Sequence, residues 1–203
     1  MFVKTPIALA EILFPSLIWK NKTNEKKIWL TFDDGPDEII TDFLLSVLRK
    51  LKIRATFFLI GKQVKKYPLI TKKILDTGHY IGNHSYSHID GFLTSKKEYI
   101  SDIDRASYLI DSKIFRPPYG KIRPIQLRHL RKKYKIIMWD ILSWDFKKNI
   151  SSDKLYKNVI NNVENGSIIV FHNNMKSYKN LKQSLEKILL KLQKEGYSFS
   201  TTW

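Results

Sequence analysis

The chain has 203 residues, of which 43% are hydrophobic and 27% are charged. This length and balance suit one globular domain with a substantial core, and we expect residues 1–203 to form a single domain. The sequence contains no cysteine. Disulfides and thiolate metal sites are therefore excluded, and any metal must be held by nitrogen and oxygen ligands.

The formal net charge is +17, which attracts polyanions. The lysines are spread along the whole chain rather than gathered in one tail or stripe. Nucleic-acid binding is typical of clustered basic residues. We therefore expect a solvated basic surface and no nucleic-acid partner.

The N-terminal segment is apolar but short. Residues 6–15 are interrupted by Glu11 and bounded by Pro6 and Pro15, and no small-residue cleavage site follows them. Such a segment is a poor signal peptide and is too short to span a bilayer. We expect residues 1–20 to pack as a cap on a monomeric domain, without stable membrane insertion. An interfacial membrane contact stays open, as do a cytoplasmic and an envelope-associated location in a bacterium.

Further along the chain, short β-rich runs alternate with segments of helical period. The predicted strands are 27–32, 55–60, 80–83, 114–116, 135–139, 167–171 and 197–199. The predicted helices are 39–51, 63–76, 94–111, 124–133, 152–164 and 180–195. This alternation indicates an α/β fold with about seven parallel strands, either a closed or distorted (β/α) barrel or an open doubly wound sheet.

Two adjacent carboxylates, Asp33 and Asp34, end the first predicted strand. Neighbouring acids repel one another, so this placement favours a different partner for each, such as a metal for one and a cation or proton for the other. Farther on, His84 and His88 are four positions apart, a spacing that can aim both imidazoles at one ion. A short motif of this kind is by itself more often a pair of hydrogen-bonded loop histidines.

Other reactive residues also fall where predicted strands end. They are His84 after the third strand, Arg116 at the end of the fourth, Asp145 after the fifth and His172 after the sixth. The carboxyl ends of the strands in a parallel β/α architecture open on one face, where active sites are built. We therefore predict that these residues meet at one site.

In five ordered blocks the chain resembles the polysaccharide deacetylases, the family-four carbohydrate esterases. The blocks are TFDDGP (31–36), HSYSH (84–88), RPPYG (116–120), WDF (144–146) and VFH (170–172). This resemblance implies a distorted (β/α) barrel that holds one divalent metal and hydrolyses N-acetyl groups of amino sugars or, in some members, O-acetyl esters.

The resemblance implies that Asp34, His84 and His88 are the metal ligands. Two imidazoles and one carboxylate leave open positions for water and a substrate oxygen. Zinc is the expected ion, with cobalt or another divalent ion as the alternative.

The resemblance also implies the catalytic residues. Asp33 is expected to be the general base, held by Arg116, while His172 is the expected general acid, paired with Asp145. The backbone amide of Tyr119 is the expected oxyanion donor. The alternatives are a turn cap for Asp33, a surface salt bridge for Arg116, a structural role for His172 and a simple loop around Tyr119.

Three positions depart from the family pattern. Leu142 and Asn173 stand where aspartate is common, and Phe146 stands where tryptophan is usual. None of the three is an expected metal ligand, base or acid. They put the substrate preference in doubt rather than the hydrolysis.

The leading functional hypothesis is a metal-dependent deacetylase that acts on N-acetylglucosamine-containing glycans of the peptidoglycan or chitin type. An esterase for acetylated xylan and an inactive glycan-binding module are alternatives. Two histidines and one carboxylate also describe non-haem iron oxygenases, but the β-α alternation argues against that class. Tyr86, Trp139 and Trp144 could stack on pyranose rings near the mouth of the cleft, but we expect them in the core, because aromatic residues in a protein of this size are more often buried.

Overall fold

The structure is a computed structural model, and it describes residues 3–203. In these residues one sheet contains β1 (Leu17–Ile18), β2 (Lys27–Asp33), β3 (Thr56–Leu59), β4 (Tyr80–Asn83), β5 (Ile114–Phe115), β6 (Lys135–Ile137), β7 (Ile141–Leu142), β8 (Ile168–His172) and β9 (Ser198–Phe199). The strand order is β1-β6-β5-β4-β3-β2-β8-β7, and β9 pairs with β2. All of these pairs are parallel, as the β-α alternation predicts.

The helices between the strands pack around the sheet. They are α1 (Ile7–Leu13), α2 (Glu38–Lys50), α3 (Gly61–Lys66), α4 (Pro68–Asp76), α5 (Lys96–Ser107), α6 (Pro124–Leu130), α7 (Ser152–Ile160) and α8 (Met175–Lys194). Several of these helices begin at a residue whose side chain caps the N-terminus. Asp37 caps α2 by accepting hydrogen bonds from two backbone amides, and Ser95 forms a capping box with Glu98 at the start of α5.

Several predicted element bounds differ from the structure, and two of the differences have a clear local cause. The helix predicted over 63–76 is two helices, because Pro68 lacks an N–H and restricts Tyr67 before it. The strand predicted over 135–139 ends at Ile137. Beyond that point the backbone carbonyl of Met138 accepts a hydrogen bond from Arg116 at 2.8 Å instead of continuing the ladder.

The alternation of side chains along β2 divides the core. Ile28, Leu30 and Phe32 are buried in one cluster that includes the apolar faces of α2 and α8. Trp29 points to the other side and belongs to a second cluster with residues of β5 and β6. Successive side chains of a strand point to opposite faces of the sheet, so β2 contributes to both clusters. Because β2 lies between β3 and β8, its carboxyl end is inside the sheet rather than at an edge.

The N-terminal segment bonds to the strands at both ends of the curled sheet. Lys4 forms an antiparallel bridge with Ile141 of β7, and β1 pairs with β6 through Leu17 and Ile136. Residues 3–18 therefore lie across the gap between β6 and β7. The cap predicted over residues 1–20 includes Met1 and Phe2, which lie outside the described residues, and β1 within it was not predicted.

The pairing of β2 with β8 fixes the relation between two predicted site residues. Asp33 of β2 is the register partner of His172 of β8, and the amide of Asn173 donates to the Asp33 carbonyl at 2.6 Å. Both side chains therefore stand at the same level, at the carboxyl ends of neighbouring strands. No helix within residues 3–203 is long and apolar enough to cross a bilayer.

Candidate active site

Asp34, His84 and His88 meet at the carboxyl ends of β2 and β4. Asp34 Oδ1 lies 3.1 Å from His88 Nε2 and 3.6 Å from His84 Nε2. One ligand atom from each of the three residues lies within 4.8 Å of the others. The sequence prediction that these side chains converge is therefore met by the geometry.

Neighbouring groups orient two members of this triad. His84 Nδ1 lies 2.7 Å from the backbone carbonyl of Arg116, which can only accept, so Nδ1 carries a hydrogen and Nε2 is the ring nitrogen turned toward Asp34. Asn174 donates to Asp34 Oδ2 at 2.6 Å and leaves Oδ1 for the histidines. Burial alone would raise the pKa of Asp34, but hydrogen bonds with His84 and His88 hold it well below its usual value.

This donor set fits a divalent metal ion. One ionised carboxylate and two imidazole nitrogens are ligands that suit zinc and similar ions, and the histidine–carbonyl contact is the outer support usual for a ligating imidazole. The structure thus provides the residues for a metal site.

Asp33 and Arg116 form an ion pair beside the triad. Arg116 Nη1 donates to Asp33 Oδ1 at 2.7 Å and to Thr31 Oγ1 at 2.7 Å. Two backbone carbonyls accept further hydrogen bonds from the guanidinium, Ile137 from Nε and Met138 from Nη2. Arg116 is fully buried and is surrounded by acceptors, so a surface salt bridge is not its role.

His172 and Asp145 form a second pair, in which Asp145 is fully buried and His172 is partly buried. His172 Nδ1 donates to Asp145 Oδ1 at 2.7 Å, and the His172 backbone amide donates to Oδ2 at 2.7 Å. Burial alone would lower the pKa of His172, but the charge and hydrogen bond of Asp145 raise it to about 9. This imidazole is therefore positively charged at neutral pH and can give up a proton from Nε2.

Tyr119 lies in the short turn Pro118–Gly120 after β5. Its φ is +59°, and its ring packs against the His88 ring with centroids 4.6 Å apart. The Tyr119 amide donates no hydrogen bond to any of the residues 3–203. A free amide beside the triad is suited to receive developing negative charge.

Backbone strain collects at this face of the sheet. Among the described residues, six non-glycine residues have positive φ, and five of them lie in loops after strands at the site: Asp34, Ser85, His88, Tyr119 and Trp144. Such conformations are disfavoured by sterics and persist where the surrounding structure holds them. Their clustering around the metal triad is typical of a functional site.

The three departures from the family pattern have local structural reasons. Leu142 is buried in the second core cluster, the one that contains Trp29 and residues of β5 and β6. The Phe146 ring meets the His172 ring edge-on with centroids 4.9 Å apart, so it supplies an apolar wall beside that imidazole. The buried Asn173 exchanges hydrogen bonds with Thr41, and a Cβ on Gly35 would lie 2.1 Å from Asn173 Nδ2.

Four supporting residues at the site were not predicted. Thr31 and Asn174 contact Arg116 and Asp34, as described above. Ser143 donates to Asp145 Oδ1 at 3.0 Å, and Asn180 of α8 donates to the Asp145 carbonyl at 2.6 Å. Thr31, Asn174 and Asn180 are distant in the sequence from the residues that they contact. Of the four, Ser143 alone, two residues before Asp145, could have been predicted from a local sequence pattern.

Comparisons with known proteins agree with this geometry. The family described as polysaccharide deacetylase matches residues 20–136. A peptidoglycan-N-acetylglucosamine deacetylase of Bacillus cereus is 33% identical over 193 residues, which cover 90% of this chain and 89% of that protein. The chain belongs to the polysaccharide deacetylase family. The resemblance seen in the five sequence motifs is thereby confirmed.

Solved structures of this deacetylase family share the fold. The crystal structure of the Bc1960 peptidoglycan N-acetylglucosamine deacetylase superimposes with a TM-score of 0.89 at 31% identity, covering 97% of this chain and 94% of that one. This likeness confirms the predicted distorted (β/α) barrel. BA3943, a pseudoenzyme of the same family from Bacillus anthracis, has a TM-score of 0.80 at 26% identity, covering 93% of this chain and 68% of that one.

Proposed function

We propose that this protein is a metal-dependent hydrolase that removes N-acetyl groups from N-acetylglucosamine-containing glycans, with peptidoglycan as the foremost substrate. One observation carries the proposal. The Asp34–His84–His88 triad lies beside two charged pairs, the buried Asp33–Arg116 and the partly buried His172–Asp145. The B. cereus relative and Bc1960 are both named as deacetylases of peptidoglycan N-acetylglucosamine, which supports this choice of glycan.

Asp34, His84 and His88 would hold the metal, most simply zinc. When bound at such a triad, a divalent ion polarises an acyl oxygen and makes water a better nucleophile at neutral pH. Asn174 and the Arg116 carbonyl keep the ligand atoms oriented for this ion.

Asp33 is placed to act as the general base. Its Oδ1 is held by Arg116, whereas Oδ2 accepts no hydrogen bond from the described residues. A carboxylate with one oxygen fixed and the other available can take a proton from the attacking water. The rigid guanidinium keeps that oxygen in place because it is anchored by Thr31 and two backbone carbonyls.

His172 is placed to act as the general acid. Asp145 fixes the ring through Nδ1 and keeps it protonated, so Nε2 can donate a proton to the departing amine. The Phe146 ring beside it supplies an apolar contact suited to an acetyl methyl group. The nitrogen of an amide must be protonated before it can leave as an amine, and a charged imidazole can supply that proton. The leaving oxygen of an ester needs such an acid less, so a charged His172 favours an amide substrate.

The Tyr119 amide would receive the negative charge that develops on the acyl oxygen. The turn around it is rigid, since two prolines precede it and Gly120 follows with a φ of +68°. A fixed backbone donor of this kind lowers the barrier of comparable reactions by about 3 kcal/mol.

The similarity to the pseudoenzyme BA3943 favours one alternative for testing, an inactive glycan-binding module. The fold alone does not separate the two readings, because function depends on the site. The predicted base, acid and triad are all present in this chain, and they support the enzyme.

Acetate release tests the proposal. The purified protein is freed of metal with a chelator and assayed on N-acetylglucosamine oligomers, peptidoglycan and acetylated xylan, before and after zinc or cobalt is added back. We expect metal-restored release from the amide substrates. Release from xylan alone would assign an O-acetyl esterase, and glycan binding without release in the metal-loaded protein would assign a binding module. The variant His88→Asn is the matched control, since it removes one ligand of the triad.

A further inference from the structure

The segment that lies across the gap between β6 and β7 has an apolar outer surface. The large side chains of α1 on this surface are well exposed, with 55% of Leu9, 76% of Ile12 and 59% of Leu13 accessible to solvent. Single exposed apolar residues are ordinary, whereas a contiguous group of them marks an interaction surface. The group, which we name the α1 patch, consists of seven exposed and uncharged residues: Pro6, Ala8, Leu9, Ile12, Leu13, Phe14 and Pro15.

The two sides of α1 are reversed relative to an ordinary surface helix. Leu9, Ile12 and Leu13 fall on one side at helical spacing, and this side is exposed. The other side holds the buried Ala10 and the half-buried Glu11, which is the one charged residue of the helix. A surface helix normally turns its apolar side to the core and its charges to water. The outward side of α1 is therefore suited to an apolar environment rather than to water.

The segment is anchored to the barrel before and after α1. The Thr5 amide donates to the Asp140 carbonyl at 2.7 Å before the helix begins. After the helix, the Leu17 amide donates to the Phe14 carbonyl at 3.1 Å, and β1 pairs with β6. These bonds fix the orientation of α1, so the α1 patch is held outward.

Basic side chains lie beside the C-terminal end of the α1 patch. Arg131 Nη1 lies 3.4 Å from the hydroxyl oxygen of Ser16, the residue that follows the patch. Arg128 is three residues before Arg131, a helical spacing that places both on one side, and Lys132 comes next in the chain; all three are exposed. Among residues 3–203 these three form no salt bridge, whereas the neighbouring Lys133 pairs with a carboxylate.

An apolar face with a basic margin fits the surface of a bilayer that carries anionic headgroups. Apolar side chains enter the boundary between headgroups and acyl chains, while lysine and arginine contact the headgroups. A second copy of this chain fits less well. Each copy has a formal net charge of +17, so two copies repel one another. The patch is also small, because an ordinary stable interface uses roughly 20 to 30 residues on each side.

We infer that the α1 patch docks the protein on anionic lipid bilayers as a reversible surface contact. The apolar side chains of the patch enter the interfacial layer, and Arg131 and its basic neighbours contact headgroup phosphates. This inference is independent of the proposed reaction, because docking on vesicles is measured without turnover.

Sedimentation of the full chain with lipid vesicles tests the inference. The vesicles contain phosphatidylcholine alone or mixed equally with phosphatidylglycerol, at about 0.1 M salt, where surface charges are only partly screened. The double variant Ile12→Ser, Leu13→Ser removes apolar area from the α1 patch. Its matched control is Leu69→Ser, Leu75→Ser on α4, where both leucines are exposed and lie outside the patch.

We expect the unaltered protein to bind the anionic vesicles and to bind phosphatidylcholine alone at least tenfold more weakly. The double variant on α1 should bind the anionic vesicles at least tenfold more weakly, since two large apolar side chains no longer enter the bilayer. The double variant on α4 should bind like the unaltered protein. Both should unfold at the temperature of the unaltered protein, because the replaced residues are exposed.

A second pair of variants tests the basic margin. Arg131→Gln, Lys132→Gln should weaken binding to the anionic vesicles about tenfold. Lys65→Gln, Lys66→Gln removes the same charge from the exposed surface of α3 and should have a much smaller effect. Equal loss in the two charge variants would show that net charge alone governs binding and would overturn the inference.

The absence of cysteine allows a direct probe of insertion. A nitrobenzoxadiazole dye attached at Ile12→Cys should shift its emission to the blue on anionic vesicles, whereas the same dye at Leu69→Cys should not. No binding to these vesicles, or equal binding by the two serine double variants, would overturn the inference. A dimer that depends on Ile12 and Leu13, without vesicle binding, would also overturn it and assign the patch to a second copy. Vesicle binding by a protein that releases no acetate would uphold the docking surface and reject the proposed reaction.

Discussion

Arg116 and Asp33 form an ion pair inside the barrel, with 2.7 Å between Nη1 and Oδ1 and with the arginine fully buried. A buried charge is stable only when it is paired and hydrogen-bonded. Burial lowers the pKa of Arg116, and the charge of Asp33 opposes that shift. The pair therefore serves both the stability of the barrel and the placement of Asp33, the proposed base.

Replacing Asp33 with asparagine should lower kcat by a factor of about 10² to 10⁴, because the amide cannot accept the proton from water. The amide oxygen can still accept from Arg116, so thermal unfolding should remain cooperative. Asp37→Asn, which keeps the helix cap of α2 and lies four residues away, is the matched control and should retain full turnover. Near-normal acetate release by Asp33→Asn would exclude Asp33 as the base.

Replacing Arg116 with lysine should be damaging although the charge is kept. A lysine cannot satisfy the acceptors on Thr31, Ile137 and Met138 together, so buried carbonyls lose their donor. We expect a loss of about 3 kcal/mol in the free energy of unfolding and a fall in kcat of about 10² as Asp33 shifts.

The control for this variant is Arg131→Lys. Arg131 is exposed, and among residues 3–203 its side chain makes one long hydrogen bond, 3.4 Å to Ser16, so stability and turnover should hardly change. Urea unfolding and acetate release measure the two effects. Equal behaviour of the two lysine variants would contradict the role assigned to Arg116.

The pH profile should report the His172–Asp145 pair. His172 must be protonated to act as an acid, and its raised pKa of about 9 places the alkaline limb of kcat/KM near that pH. Asp145→Asn removes the negative charge that raises the pKa of His172, so the alkaline limb of kcat/KM should move toward the ordinary histidine pKa of 6.5.

Ser143→Ala isolates the effect of the carboxylate. This variant removes the hydrogen bond to Asp145 Oδ1 but leaves the charge, so its alkaline limb should stay near that of the unaltered protein. An unchanged limb in Asp145→Asn would show that another group sets it.

Asn174 should control metal affinity without controlling the fold. Its Nδ2 donates to Asp34, while its Oδ1 caps α8 by accepting from the Ser177 amide at 3.2 Å. Serine retains the cap but cannot reach Asp34, so Asn174→Ser should bind zinc about 10-fold to 100-fold more weakly. Zinc titration against a competing chelator checks this, with Asn165→Ser, in the loop that precedes β8, as control. Equal zinc affinities in the two variants would remove Asn174 from the metal site.

Asp140 should make stability depend on pH. It is fully buried, accepts from Ser167 Oγ and the Ile168 amide, and burial raises its pKa from 3.8 to about 6. Its folded pKa lies above the unfolded value, so its contribution is fully present below pH 3.8 and is lost as pH rises through 6. Between pH 4.5 and 7.5 the free energy of unfolding should fall by about 2 kcal/mol relative to Asp140→Asn.

Urea titrations at pH 4.5 and 7.5 compare the two proteins. Asp153→Asn removes a surface ion pair with Lys157 and should show a pH dependence close to that of the unaltered protein. If the difference in the free energy of unfolding between the unaltered protein and Asp140→Asn stayed constant with pH, this prediction would be contradicted.

The sequence predicted the strands that carry the site because those strands are long or strongly apolar. β2, β3, β4 and β8 are within a residue or two of the predicted bounds. β1 and β7 have two residues each and show no period to read, since they exist only through pairing with β6 and β8. The start of α8 was placed five residues late, because the cap at Asn174 lies in a polar stretch typical of a loop.

The supporting side chains of the site were beyond sequence reasoning for a related cause. Thr31 is separated by 85 residues from Arg116, and Asn174 by 140 residues from Asp34. A threonine inside a strand and an asparagine after one fit ordinary structural roles equally well. Only the curled sheet brings them to their partners, whereas the reactive residues were recognisable from their positions at strand ends.

The register of β2 against β8 has a consequence for how such enzymes diversify. Asp33 and His172 are neighbours across one rung of a parallel ladder, so main-chain hydrogen bonds at the centre of the barrel set the separation of their backbones. The loops that follow the strands, and the N-terminal segment, lie outside that ladder. Insertions, truncations and substitutions in those outer parts can change the surface around the site while Asp33 and His172, the proposed proton-transfer groups, keep their spacing.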